Sequence, residues 1–184
     1  FKILYTGRIS REKGFETLLY AASLSIKKHK NILIFVVGMF SDENYRTEIS
    51  EVIKRKKLER NIVFLGFEEG QKVIREYKSS NISVVPSFAE TFGKVAIESM
   101  AAKVPVIVSD VGGLGPIVVE KETGLKFNCG DIEELSQKIN LLYESSMLRE
   151  KLAHNAYKEV VKRYQWKDIF KQTLDIYQKV CEVQ

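Results

Sequence analysis

Short runs of apolar, largely β-branched residues alternate along the chain with longer stretches in which apolar residues recur every three or four positions. The runs are KILYTG (2–7), ILIFVVG (32–38), NIVFLG (61–66), ISVVPS (82–87), PVIVSD (105–110) and TGLKFN (123–128). Helical patterns occupy 15–28, 44–57, 70–79, 92–102 and 114–120. In the first of these Phe15, Leu18, Leu19, Ala22 and Ile26 form one apolar stripe while Glu16 and Lys27 face water. Strand and helix in alternation predict a parallel sheet with helices on both faces. The runs lack polar alternation, so the strands are expected to be buried on both sides. Beyond Asp131 the pattern is helical to the end. Asp131 and Glu134 make a capping-box variant ahead of Ile132, Leu135, Ile139 and Leu142. Leu148, Leu152, Ala156 and Val160 form the next stripe, and Trp166, Ile169, Phe170, Leu174 and Tyr177 the last. The expected fold is α/β: a doubly wound, six-stranded, Rossmann-like parallel sheet with a helical C-terminal tail.

Composition changes this picture little. A chain of 184 residues suits one core, and no repeat, low-complexity segment or Pro-rich linker divides it, so 1–184 reads as a single domain. Phe1 stands where Met would begin a protein, and the chain opens inside an apolar run, which points to a fragment of a two-domain protein. No secretory leader is visible. With 45% hydrophobic and 29% charged residues the composition is that of an ordinary soluble globular domain, which disfavours disorder and a membrane span. The net charge of +5 suits anionic ligands or a membrane surface without marking a nucleic-acid binder. The densest run, Lys54-Arg55-Lys56-Lys57, reads as a solvated helix end, with a phosphate or membrane patch as the alternative. No aromatics interleave with it, which argues against nucleic acid. Cys129 and Cys181 lie far apart with no His at metal spacing, as expected of a reduced cytoplasmic protein. His29 and His154 fall at polar helical positions and read as surface residues.

In a doubly wound sheet, ligands bind beyond the carboxyl ends of the strands, where the strand order reverses. The informative residues are then those that follow each run: Gly7-Arg8 through Lys13-Gly14, Gly38-Met39, Gly66-Phe67, Ser87 through Gly93, and Asp110 through Gly113. Glycine or a small residue ends nearly every run, which lets backbone amides come close to a partner. A phosphate suits Arg8, a bidentate donor, and Lys13, a point charge. Amides at the helix starts Phe92-Gly93 and Gly112-Gly113 can add anion contacts. Lys94, in the first turn of its helix, is electrostatically out of place unless an anion lies nearby. Taken singly, each is equally a loop glycine or a surface cation. The Gly-x-Gly-x-x-Gly fingerprint and a Gly-Lys-Ser/Thr phosphate loop are both missing, which disfavours an NAD oxidoreductase and an ordinary NTPase.

Glu90 and Glu98 bracket Phe92-Gly93. With a helix beginning near Phe92, Glu90 lies just before its N-terminus and Glu98 roughly 9 Å along its axis. Carboxylates accept hydrogen bonds from paired hydroxyls, so two of them around an anion site suit a nucleotide diphosphate sugar. The alternative is that Glu90 caps the helix and Glu98 faces solvent.

At these residues the chain resembles a known family. Gly7-Arg8 with Lys13-Gly14, Val36-Val37-Gly38, Val63-Phe64-Leu65-Gly66, Pro86-Ser87 with Glu90, Phe92-Gly93 and Glu98, Pro105-Val106-Ile107, Gly112-Gly113 and Thr123-Gly124-Leu125 occur in order across essentially the whole chain. This set resembles the C-terminal, donor-binding domain of the group 1 (family 4) retaining glycosyltransferases. The resemblance implies a two-domain GT-B enzyme that moves a sugar from a nucleotide diphosphate sugar to a glycan, lipid or other acceptor, with retained anomeric configuration and no metal or cofactor. It implies work in the cytoplasm or at the inner face of a membrane. It also implies an N-terminal acceptor domain outside these residues, against which the last helix packs, and little transfer by this fragment alone. By the same resemblance Arg8 and Lys13 hold the diphosphate and offset charge on the leaving nucleotide, Glu90 contacts the transferred sugar, and Glu98 holds the ribose. The amides of Phe92 and Gly93 border the transferred sugar or the phosphates, Gly7, Gly112 and Gly113 belong to the donor-binding set, and Gly66 and Phe67, with Gly38-Met39, border the base. One departure is Gly112-Gly113-Leu114-Gly115-Pro116, where family members commonly have Gly-Gly-Leu/Ile-Pro-Glu. A nucleotide-sugar epimerase of the same architecture and a non-catalytic nucleotide-binding regulatory domain are the rival readings.

Overall fold

The computed structural model describes residues 1–182. Six strands, β1 (Lys2–Thr6), β2 (Leu33–Val37), β3 (Ile62–Gly66), β4 (Ile82–Val85), β5 (Val106–Ser109) and β6 (Leu125–Phe127), form one all-parallel sheet in the order β3-β2-β1-β4-β5-β6. The connecting helices are α1 (Phe15–Lys28), α2 (Glu43–Lys56), α3 (Gln71–Lys78), α4 (Lys94–Ala101) and α5 (Leu114–Ile117). Three more, α6 (Ile132–Glu144), α7 (Ser146–Arg163) and α8 (Trp166–Glu182), follow the last strand. This is the expected doubly wound, Rossmann-like architecture with a helical tail. None of its helices is long and apolar enough to cross a membrane, among the described residues.

Alternate residues of each strand feed the two faces. Ile3, Tyr5, Ile34 and Val36 pack with α1, α2 and α6, whereas Leu4 and Val37 meet Tyr77 of α3 on the other side. Val85, Val106 and Val108 meet α4, α5 and α7 there. The edge strand β3 departs most from the expectation of burial on both sides: Val63 and Phe64 are 37% and 43% exposed, whereas Leu125 and Phe127 of β6, at the other edge, are buried.

The caps behave as their residue types require. Asp131 accepts a hydrogen bond from the Glu134 amide at 2.8 Å, while the Glu134 carboxylate reaches back to the Asn128 amide at 2.7 Å. Alanine at Asp131 should cost about 1 kcal/mol of stability, read as a lower urea midpoint with an unchanged slope. Lys54 to Lys56 form the exposed last turn of α2 and Lys57 its left-handed cap, where cations oppose the negative end of the helix dipole. Arg55 also donates to the Tyr20 hydroxyl at 2.7 Å. His154 is exposed, as expected, but His29 is not a surface residue. It ends α1 with its side chain only 14% exposed, stacked on the Tyr143 ring at 3.9 Å and 3.3 Å from Glu144. Polar neighbours in sequence could not reveal a partner more than a hundred residues away. Helix α8 leaves Trp166, Phe170, Tyr177 and Val180 largely exposed.

Candidate functional site

The strand order reverses between β1 and β4, so the loops that follow these two strands stand side by side at the carboxyl edge of the sheet. They are stitched together by backbone. The Phe88 amide donates to the Glu12 carbonyl at 2.8 Å, and Gly14 passes so close to Pro86 that a Cβ there would lie 1.9 Å from the Pro86 carbonyl oxygen. The result brings Lys13 to Glu90, with Nζ 2.8 Å from Oε2 and both side chains mostly buried. The Gly93 amide donates to the other oxygen of the same carboxylate at 3.3 Å.

Glu90 is therefore both a cap and one half of an ion pair. Burial pushes its carboxyl up, but the Lys13 ammonium and the Gly93 and Phe92 amides outweigh that and hold it below the ordinary carboxylate value. A depressed folded-state value means that this group stabilises the fold above the unfolded carboxylate range and loses that contribution as pH falls through the depressed value. Glu90→Gln should accordingly flatten the fall in stability as pH drops through and below the ordinary carboxylate range, measured as urea midpoints at each pH. A slope equal to that of the parent protein would show that the pair carries none of it.

Helix α4 begins at Lys94 rather than near Phe92, because Gly93 takes φ +84° and breaks the helical run there. Glu98 thus sits on the second turn. Its Oε2 accepts from the Tyr77 hydroxyl at 3.2 Å, and its Oε1 lies 3.6 Å from Lys94 Nζ. Lys94 accordingly has an acidic neighbour of its own, one turn along. Tyr77 is 2% exposed, and burial, joined by the charge of Glu98, pushes its hydroxyl well above the ordinary value, so it stays protonated.

Beside this lies a cavity of about 1040 Å³, walled by Gly7 and Arg8 after β1, Gly38 and Met39 after β2, Phe67 to Gly70 after β3, and the facing sides of α3 and α4 including Glu98. The expected site residues thus fall in two adjoining groups. Gly7, Arg8, Phe67 and Glu98 line the cavity, whereas Lys13, Glu90, Phe92, Gly93, Gly112 and Gly113 meet at its β4–β5 side. Gly66 lies just before Phe67, at the end of β3. Arg8 is largely exposed and pairs with Glu12 at 2.7 Å. The Gly112 and Gly113 backbone packs on the 90–92 loop: the Gly113 amide donates to the Glu90 carbonyl at 2.8 Å, and a Cβ on Gly112 would fall 2.1 Å from that oxygen. Gly38 similarly closes on the Gly7 carbonyl, where a Cβ would fall at 1.9 Å. These close approaches are between loops of the protein itself. The departure at Gly115-Pro116 lies inside α5, whose Leu114 and Ile117 are buried beneath Gly93, and the nearest acid is Asp110.

Tyr77 and Thr6 escaped the sequence reading. A tyrosine on an amphipathic α3 looks like a core residue, and only the phase of the α3 pattern against α4 could have hinted at its reach.

Comparison with known proteins places the chain. Residues 1–159 match the family model of glycosyl transferases group 1. An uncharacterized glycosyltransferase of Methanocaldococcus jannaschii, MJ1607, is 32% identical over 181 residues, covering 98% of this chain and 45% of the relative. The crystal structure of the C-terminal domain of the group 1 glycosyl transferase LpcC from Francisella tularensis superposes with a TM-score of 0.82 at 30% identity, over 90% of this chain and 87% of that one. Anabaena Alr3699/HepE in complex with UDP has the same fold, with a TM-score of 0.91 at 24% identity, over 97% of this chain and 49% of that one. The chain spans about half the length of the curated relatives it matches.

Proposed function

The chain belongs to the group 1 glycosyl transferases, and on that premise we propose that it is the donor-binding half of a retaining GT-B glycosyltransferase, acting from a nucleotide diphosphate sugar onto a glycan, lipid or other acceptor. The observation that carries this reading is the meeting of Lys13, Glu90 and the α4 N-terminus at the β1–β4 switch point, one turn of helix from Glu98. A diphosphate there draws on the Lys13 ammonium, the Arg8 guanidinium and the α4 amides, which offset the charge that develops on the departing nucleotide. That is work a divalent cation does elsewhere, and no metal is needed for it. Glu90, when Lys13 turns to the phosphate, accepts from hydroxyls of the transferred sugar, and Glu98 accepts from the ribose. The base lies in the cavity beside Met39 and Phe67. Two of the neighbouring fold's structures, those of Anabaena Alr3699/HepE, hold UDP and UDP-glucose, which favours a nucleotide of this kind.

The other half of the protein supplies the acceptor site and covers α8, whose exposed Trp166, Phe170 and Tyr177 suit an interdomain contact. Residues 1–184 alone then transfer little, and the enzyme works in the cytoplasm or at the inner face of a membrane. Calorimetric titration of the full chain with UDP, GDP and ADP in EDTA tests this reading. One nucleotide should bind, and Glu98→Ala should weaken it. Absence of binding by all three at millimolar concentration, or binding that needs a metal, would overturn it.

A further inference from the structure

Glu98 does not choose its own direction. On α4 it is 39% exposed in its side chain, and a carboxylate on a helix surface ordinarily samples several rotamers. Here one oxygen is held by a hydroxyl from a different element. Tyr77 of α3 is fixed among Leu4, Val37 and Val104, a small core on the α3 face of the sheet, so its hydroxyl is a donor held in place by packing. That hydroxyl lies 3.2 Å from Glu98 Oε2 and 2.8 Å from the Oγ1 of Thr6, the last residue of β1. A third neighbour, the Val95 carbonyl, stands at 3.5 Å, the outer limit for a bond.

Donor and acceptor capacity fixes the direction of this chain. An ionised carboxylate only accepts, and a tyrosine has one proton. Tyr77 therefore donates to Glu98, and Thr6 donates to Tyr77. The relay runs from the end of β1, through α3, to α4, three elements brought together by the strand order. Its effect is to hold Oε2 and leave Oε1, 3.6 Å from Lys94 Nζ, as the other oxygen of a side chain that lines the cavity. We propose that Tyr77, oriented by Thr6, is a positioning residue that aims Glu98 at the ribose diol of the donor nucleotide. This rests on the reading of Glu98 as the ribose ligand given above.

The test separates the two claims. The full chain is titrated calorimetrically with the nucleoside diphosphate it binds best among UDP, GDP and ADP, and with the 2′,3′-dideoxy form of the same nucleotide. The parent protein should prefer the ribonucleotide. Tyr77→Phe should weaken the ribonucleotide about tenfold, as loss of a hydrogen bond to a charged group does, and leave the dideoxy form unchanged. Thr6→Val should act in the same sense to a smaller degree. Adding Tyr77→Phe to Glu98→Ala should cost nothing more. If Tyr77→Phe weakens both nucleotides alike, or leaves the ribose preference intact, Tyr77 only packs the core and the proposal fails. A parent protein without ribose preference, or one that binds none of the nucleotides, removes the reading of Glu98 itself and the proposal with it.

Discussion

Alanine in place of Lys13 is expected to lower sugar transfer by the full chain about 10²- to 10³-fold, with the loss in kcat rather than KM. The reason lies in what Lys13 touches. Its ammonium sits 2.8 Å from Glu90 and beside the amides of the α4 N-terminus, where the diphosphate is proposed to depart. Charge grows on the leaving group as the sugar bond breaks, so a fixed cation there gains more in the transition state than in the ground state. Its loss also leaves the mostly buried Glu90 carboxylate with amides alone for partners. Arginine at the same position should recover only part of the rate, since a planar fork cannot occupy the place of a compact ammonium between two loops. Arg8→Ala should cost less, because Arg8 is largely exposed and its partner Glu12 is on the same loop. Donor consumption with acceptor present measures all three. A rate for Lys13→Ala within severalfold of the parent would place the charge stabilisation elsewhere.

The second large effect is structural. Gly112→Ala should destabilise the protein by about 3 kcal/mol and lower its melting temperature by about 10 °C. Gly112 has φ +43°, and its Cβ would lie 2.1 Å from the Glu90 carbonyl oxygen, a backbone atom that cannot swing aside. The shift must break the bond from the Gly113 amide to that carbonyl and move Glu90 off Lys13, so transfer should fall along with stability. Gly66→Ala is the control. Gly66 also has a positive φ, +75°, but nothing lies within 4 Å of its Cβ position, so the cost should be the backbone strain alone, about 1 kcal/mol. Equal melting temperatures for the two variants would mean that the 90–92 loop yields to Gly112 without cost.

Much of this molecule is legible along the chain. Each strand and helix is found within a few residues of where periodicity places it, because an element's type depends on neighbours two to four positions away. The exceptions have physical causes. Helix α4 starts two residues late because Gly93 is left-handed, and the strand that reads as buried, β3, is half bare at an edge of the sheet whose cover no periodicity reveals. The chemical inventory was legible too. Arg8, Lys13 and Glu90 stand out because they lie in the loops after apolar strands, where α/β sheets bind ligands, and Glu98 by its spacing from Glu90.

By itself the sequence determined which elements form, that their sheet is parallel, and which side chains crowd its carboxyl edge, all consequences of local pattern. Tertiary structure alone decided which of those side chains meet. The order β3-β2-β1-β4-β5-β6 sets β1 against β4 and so joins Lys13 to Glu90 across 77 positions of chain. The same order brings Tyr77 from α3 to stand between Thr6 and Glu98. It also closes Gly112 on the Glu90 loop. The physical reason is that strand order and loop contact are settled by the packing of two whole faces at once, and no stretch of sequence carries that information alone.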